Sequence, residues 1–172
     1  FTPKAVQGYE KRFREVAREV IDKVAVKGEC EFVTEVAAEL PLIAILSLCG
    51  IPMEDKQQFF EWTNTMIFTE DEDMSGEDGS AASQAAAIEV YAYAAELAQK
   101  HETEPLTDIV GALLDGKVND EKLSPEEFQL FFLMLIAAGN ESTRSVIAHG
   151  MRLLIENPDQ LEKLVAEPSL IP

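Results

Sequence analysis

Directly after nine consecutive apolar residues, Leu130 to Ala138, the chain reads Gly139-Asn140-Glu141-Ser142-Thr143-Arg144 and then returns to Val146 and Ile147. An acid next to an alcohol, with small residues one turn before them, can carry a proton to a small bound molecule. The arrangement is costly. Glycine inside a helix loses up to about 1 kcal/mol relative to alanine, and an unpaired carboxylate in a buried segment costs several kcal/mol more. Ser142 follows Ala138 by one helical turn, so its hydroxyl can bond back to the Ala138 carbonyl and help open the helix there. Two readings stand side by side. Ala138, Gly139 and Thr143 can border a groove served by Glu141 and Ser142. Alternatively, Glu141 pairs with Arg144 or Arg152, and Gly139 only lets another helix cross closely.

Other chemistry-bearing residues are few. Cys30 and Cys49 lie in unrelated local contexts, which suits neither a disulfide framework nor a zinc site. Cys49, inside an apolar run, reads as a small buried residue. His101 reads as a solvent-facing helix-end residue and His149 as a satisfied structural histidine. No second histidine sits one turn from either and no Glu-x-x-His occurs, so a di-iron bundle is disfavoured. With 32 acidic against 14 basic side chains the formal charge is −18, which repels phosphates and anionic membrane surfaces. The reading is therefore no nucleic acid, no membrane and no metal ligand, in a reducing cytoplasm. The chain starts with Phe1 rather than Met and reads as one partial domain, 1–172, of something longer.

The elements that must position the polar break are helices. Ser124-Pro125-Glu126-Glu127 is a capping box with proline in the first turn. No further proline occurs until Pro158. A helix from Pro125 to about Glu156 would then be roughly 45–50 Å long. Upstream, Thr2-Pro3 opens a helix whose Val6, Tyr9, Phe13, Val16, Val20 and Val24 form one stripe, with Ala17 and Ile21 at its edge. Gly8 threatens its first turns, and the helix ends near Gly28. Pro41 opens an almost wholly apolar helix, Leu42 to Cys49, that must be covered on most sides. Glu54 to Phe68 is helical, as is the alanine-rich stretch from Ser80 to His101, with Ile88, Tyr91, Ala92, Ala95 and Ala98 as its inward stripe. Between them, residues 69–79 are dense in Asp and Glu and read as a solvated acidic loop. Ile109 to Gly116 and Leu161 to Val165 give two short helices. Strand signals are nearly absent, so the expected class is all-α around one long central helix.

The motif Ala138-Gly139-Asn140-Glu141-Ser142-Thr143-Arg144 resembles the oxygen-binding signature of the cytochromes P-450. Ala138 and Gly139 match its small residue and glycine, Glu141 its acid, and Ser142 stands where threonine is usual. Phe1-Thr2-Pro3, Leu40-Pro41 through Cys49-Gly50-Ile51-Pro52, the capping box, and Asn157-Pro158-Asp159-Gln160 follow the family's order, so the resemblance covers essentially the whole chain.

The resemblance implies an incomplete helical core of that fold. In the intact enzyme it implies haem b, dioxygen, a ferredoxin-type electron-donor protein and a hydrophobic small-molecule substrate whose C–H bond receives one oxygen atom. Glu141 and Ser142 would relay protons, and Met134 and Ala137 would face the substrate. The acidic loop 69–79 would be the lid over it. The Tyr91-Ala92-Tyr93 helix and the run from Asn140 to Met151 look like members acting on sterol, terpene or long acyl chains. The family's haem-ligand cysteine has phenylalanine seven residues before it and glycine four before. Those places hold Leu42 and Ile45 for Cys49, and Lys23 and Val26 for Cys30, so neither is the ligand and the chain alone is expected to be inactive. Its apolar central helix would then be partly bare and prone to self-association. The alternative from another class is a non-catalytic helical scaffold, which would not account for the polar break.

Overall fold

The computed structural model describes residues 3–67 and 79–171. Thr2 and all of the acidic stretch 69–79 except Gly79 lie outside the described residues. Seven α-helices are described: α1 (Pro3–Ala25), α2 (Glu39–Leu48), α3 (Lys56–Ile67), α4 (Gly79–Thr103), α5 (Ile109–Asp115), α6 (Pro125–Glu156) and α7 (Pro158–Ala166). The all-α expectation holds. The central helix also has the expected ends, with 32 residues that span about 48 Å.

Helix α6 begins where its capping box dictates. The Ser124 hydroxyl accepts from the Glu127 backbone N–H at 3.2 Å, and the Glu127 carboxylate accepts from the Ser124 N–H at 2.7 Å. Two of the unpaired donors at the helix start are thereby satisfied. At the far end Asn157 donates its side-chain amide to the Leu153 carbonyl at 2.8 Å, and Pro158 starts α7.

Around α6 the other elements bury one face each. Helices α2, α3, α4 and α5 all contact it, and α1 packs on α2 and on a π-helical turn, Val33–Ala37. Leu42, Leu46, Phe59, Val90, Phe128, Phe132 and Ile136 are fully buried in one core. Inside it the Phe59 ring meets Trp62, Tyr93 and Phe132 edge-on, at centroid distances of 5.1, 4.9 and 6.4 Å, the geometry that ring quadrupoles favour. A second cluster, Val16, Val20, Val36 and Ile43, joins α1 to α2.

Helix α2 stops at a Schellman turn. The Ile51 N–H reaches back to the Leu46 carbonyl at 2.9 Å, with Gly50 at a φ of +64°. A Cβ on Gly50 would lie 2.0 Å from an oxygen of Asp108. The other oxygen of Asp108 caps α5 by accepting from Val110 and Gly111. One glycine thus serves both a left-handed turn and the seating of another helix cap.

The expected secondary-structure elements and their faces need five corrections. Gly8 leaves α1 unbroken, because a single glycine costs less than the packing of the rest of the helix contributes. Ile21 is exposed rather than at the edge of the buried stripe. Helix α2 starts at Glu39, two residues before Pro41; proline is tolerated there because first-turn amides need no acceptor. In α4 the buried face is Ala86, Val90 and Ala94, while Ile88 is exposed and so are Ala92 and Ala95. An alanine-rich helix carries more than one apolar stripe, and periodicity does not choose between them. Finally, a small hairpin pairs Lys117–Val118 with Glu121–Lys122. Its turn residues Asn119 and Asp120 take positive φ values of 54° and 70°, the type I′ geometry that Asn and Asp favour.

Two substitutions test this account. Ser124→Ala should lower the unfolding free energy by about 1 kcal/mol through loss of the cap. Gly50→Ala should cost more than about 2 kcal/mol, because it combines a strained φ with a displaced cap. Both are read from denaturant midpoints at unchanged slope, and a smaller effect for Gly50→Ala than for Ser124→Ala would contradict the junction described above.

Candidate functional site

Helix α6 stays α-helical through the polar break. The Ser142 hydroxyl donates to the Ala138 carbonyl at 2.8 Å. This is the back-bond that the one-turn spacing allows; it withdraws the hydroxyl proton into the helix's own hydrogen-bond ladder and leaves the oxygen's lone pairs outward.

The break divides over three faces of the helix. The outer face carries Met134, half exposed, with Ala138 and Ser142 exposed after it at steps of four. Leu130 precedes them and Val146 follows, both exposed. The inner face carries Phe132, Ile136, Asn140 and Arg144, all buried. Between them Gly139 turns toward α2, where a Cβ would lie 3.3 Å from Ile45 Cδ1. Gly139 and Thr143 line a mostly apolar cleft of about 420 Å³ with Phe13, Ile45, Leu48 and Leu135. Of the sequence-derived candidates, Met134, Ala138 and Ser142 therefore share one face, with the partly buried Ala137 and Glu141 beside it. Gly139 and Thr143 lie elsewhere, and Gly139 does what the plainer reading assigned to it: it lets α2 approach.

Glu141 also has the partner that reading named. Arg144 NH2 lies 2.5 Å from Glu141 Oε2, while Ser145 donates its hydroxyl to Glu141 Oε1 at 3.2 Å. The Arg144 side chain is only 9% exposed. Its other terminal nitrogen, NH1, donates to Asn64 Oδ1 of α3 at 2.9 Å. One turn earlier Asn140, 1% exposed, donates from Nδ2 to the Thr63 hydroxyl at 3.2 Å. Thr63 in turn donates to the Phe59 carbonyl at 2.8 Å. These four residues, Thr63, Asn64, Asn140 and Arg144, were not singled out as a set. The available signal was the pair of polar positions four apart in an otherwise apolar helix, which face one side together.

The remaining titratable candidates move away from the site. His101 is not solvent-facing: its side chain is 12% exposed, Nδ1 accepts from the Leu106 N–H at 3.0 Å, and Nε2 lies 3.3 Å from Asp115. Asp115 is held below the usual carboxylate range by its bonds to His101 and then to Lys122. His149 is exposed, not packed. Cys49 is buried, and burial, with a smaller push from Asp108, raises its thiol to about 12. A thiol so placed stays protonated and is a poor metal ligand. Among the described residues no three His, Cys, Asp or Glu side chains converge as a metal site, and no helix is long and apolar enough to cross a membrane.

Two measurements follow from this geometry. In alkylation mapped by peptide at neutral pH, Cys30, which is exposed, should be labelled while Cys49 resists until the protein unfolds. Arg144→Met should destabilise by about 2 kcal/mol, the scale of a charged hydrogen bond removed from a protein interior. A change within the experimental error of wild type would show that the Glu141 and Asn64 contacts are not formed in solution.

Comparison with known proteins agrees on both sequence and shape. No family model matches the chain. It is 39% identical over 162 residues to a steroid C26-monooxygenase of Rhodococcus jostii, covering 94% of this chain and 33% of that protein. It is 34% identical over 166 residues to a methyl-branched lipid omega-hydroxylase of Mycobacterium bovis, covering 95% of this chain and 38% of that one. The solved structure of a Mycobacterium marinum cytochrome P450 in complex with pseudoionone superposes with a TM-score of 0.91 at 27% identity, over 99% of this chain and 42% of that one. The chain spans about a third of the length of the curated relatives it matches. In sequence it is similar to part of these monooxygenases, and in fold it is similar to a helical segment of solved cytochrome P450 structures.

Proposed function

We propose that the chain supplies the oxygen-side wall of a haem-dependent monooxygenase that inserts one atom of dioxygen into a C–H bond of a hydrophobic substrate. The observation that carries this reading is the outer face of α6, where a hydroxyl bonded to its own helix, Ser142 to Ala138 at 2.8 Å, sits in an exposed and otherwise apolar stripe next to a paired acid. A scaffold role would leave that combination without purpose.

The stripe fits haem. Met134, Ala138 and Ser142 lie one turn apart, two of them with short side chains, so a flat macrocycle could lie against them without obstruction. Neither Cys30 nor Cys49 has the phenylalanine and glycine spacing of the family's thiolate ligand. When bound, the haem supplies dioxygen activation, with cysteine ligation favouring O–O cleavage.

The chain's own residues would manage protons and access. Glu141, with Ser145 on one oxygen and Arg144 on the other, holds a carboxylate in a fixed place beside the stripe. Ser142 presents an oxygen that can accept one proton and pass on another. Serine in place of threonine keeps that oxygen and drops a methyl group. Met134 and Ala137, one turn before, would face the substrate, and the acidic stretch 69–79 would form its lid. By analogy with the names of the relatives, the substrate would be a steroid or branched lipid chain. A ferredoxin-type protein in a cytoplasmic setting would deliver the electrons. Stripped of its covering, the apolar stripe would also favour self-association.

In the full-length enzyme, Glu141→Gln and Ser142→Ala should each divert reductant from product to hydrogen peroxide. Product formation should fall by about tenfold or more, the lower part of the range for a lost general acid. Unchanged ratios of product to reductant in both variants would remove the proton role.

A further inference from the structure

Helices α3 and α6 meet through an unusual pair of bonds. Their contact is otherwise apolar, built on Phe59 and Phe132. At its upper edge two consecutive residues of α3, Thr63 and Asn64, bind two residues of α6 that are four apart, Asn140 and Arg144. Burial of these groups is deep: Thr63 is 0%, Asn140 1% and Arg144 7% exposed. Polar groups placed so far inside are costly unless paired. Here Asn140 Nδ2 pairs with Thr63 and Arg144 NH1 with Asn64 across the helix interface, while Asn140 Oδ1 has no partner among the described residues; the two bonds tie these rotamers to the relative position of the two helices.

The guanidinium geometry extends this tie to the acid. Arginine offers its donors in one rigid plane. With NH1 bonded to Asn64 at 2.9 Å the guanidinium is held in place, and NH2 lies 2.5 Å from Glu141 Oε2 as an ion pair that lacks hydrogen-bond alignment, so the carboxylate is held by charge and proximity. Moving Asn64 rotates that plane about the arginine stem and takes NH2 off the carboxylate. Glu141 itself is only partly buried, its side chain 27% exposed, so without this clamp it has open space to swing into.

We propose that Asn64 is a positioning residue for Glu141, acting through Arg144, so that the seating of α3 on the central helix decides where the acid points. The inference rests on the proton role assigned to Glu141, but the clamp can be read separately from that role.

The test uses the full-length enzyme and two readouts. The first is hydrogen–deuterium exchange at the α3 amides, which needs no turnover. Coupling is reciprocal, so Glu141→Gln, a change on α6, should speed exchange around Asn64 by about threefold or more, at the lower end of coupling between contacting residues. The control Thr63→Val breaks the neighbouring bond to Asn140 and should leave the Glu141-dependent change in place. The second readout is peroxide release. Asn64→Leu should raise it in the same direction as Glu141→Gln, with no further rise in the double variant. Asn64→Asp, which keeps an acceptor for Arg144, should restore wild-type coupling even if the leucine variant folds poorly. Exchange at α3 that is indifferent to Glu141→Gln would overturn the clamp. So would peroxide release that rises in Glu141→Gln but stays at the wild-type level in Asn64→Leu. Peroxide unchanged in Glu141→Gln itself would instead overturn the proton role, with the exchange result still deciding the clamp.

Discussion

The whole arrangement depends on one contact: the inner face of α6, Phe128, Phe132 and Ile136, buried against Phe59 of α3 and Val90 of α4. Among the described helices only α2 is comparably apolar, and at ten residues it is too short to make a core alone. α1 offers one valine stripe, α4 mostly alanine, and α5 is seven residues long. Each can be stable only by covering part of something larger. Helix α6 is that larger thing because it is apolar nearly all round for nine residues. The requirement is mutual, since an isolated helix of that composition would be insoluble.

That abundance of apolar surface lets one helix serve several purposes. Its inner face holds the core. A second face, relieved of side-chain bulk at Gly139, admits α2. The outer face is exposed among the described residues, and the polar residues of the break are distributed so that Asn140 and Arg144 reach α3 while Ser142 bonds back to its own helix.

Much of this could be read from residue order, and the exceptions have physical reasons. The ends of α6 are local: a serine, a glutamate three residues on, and an Asn-Pro stop decide them without help from the rest of the chain. The back-bond of Ser142 is equally local. The inward face of α4 could not be read, because Ile88 looks as buriable as Val90, and only the position of α3 and α6 makes the choice. The hairpin at Asn119-Asp120 escaped because strands of two exposed residues carry no alternation to detect. The division of the polar break was half legible. Arg144 was among the partners considered for Glu141, but Asn64 comes from a distant part of the chain and leaves no trace near either.

That distance has a kinetic meaning. Asn140 and Thr63 are 77 residues apart in the chain, and Arg144 and Asn64 are 80 apart. The capping box at Ser124 closes over three. Bonds between neighbours form while a chain is still largely open, whereas bonds across long loops must wait until the loop's entropy has been lost to collapse. The central helix can therefore exist before its acid is aimed. Loosening under heat or denaturant should run the same course backwards, so a population that still looks fully helical by circular dichroism can already have lost the geometry on which its chemistry relies.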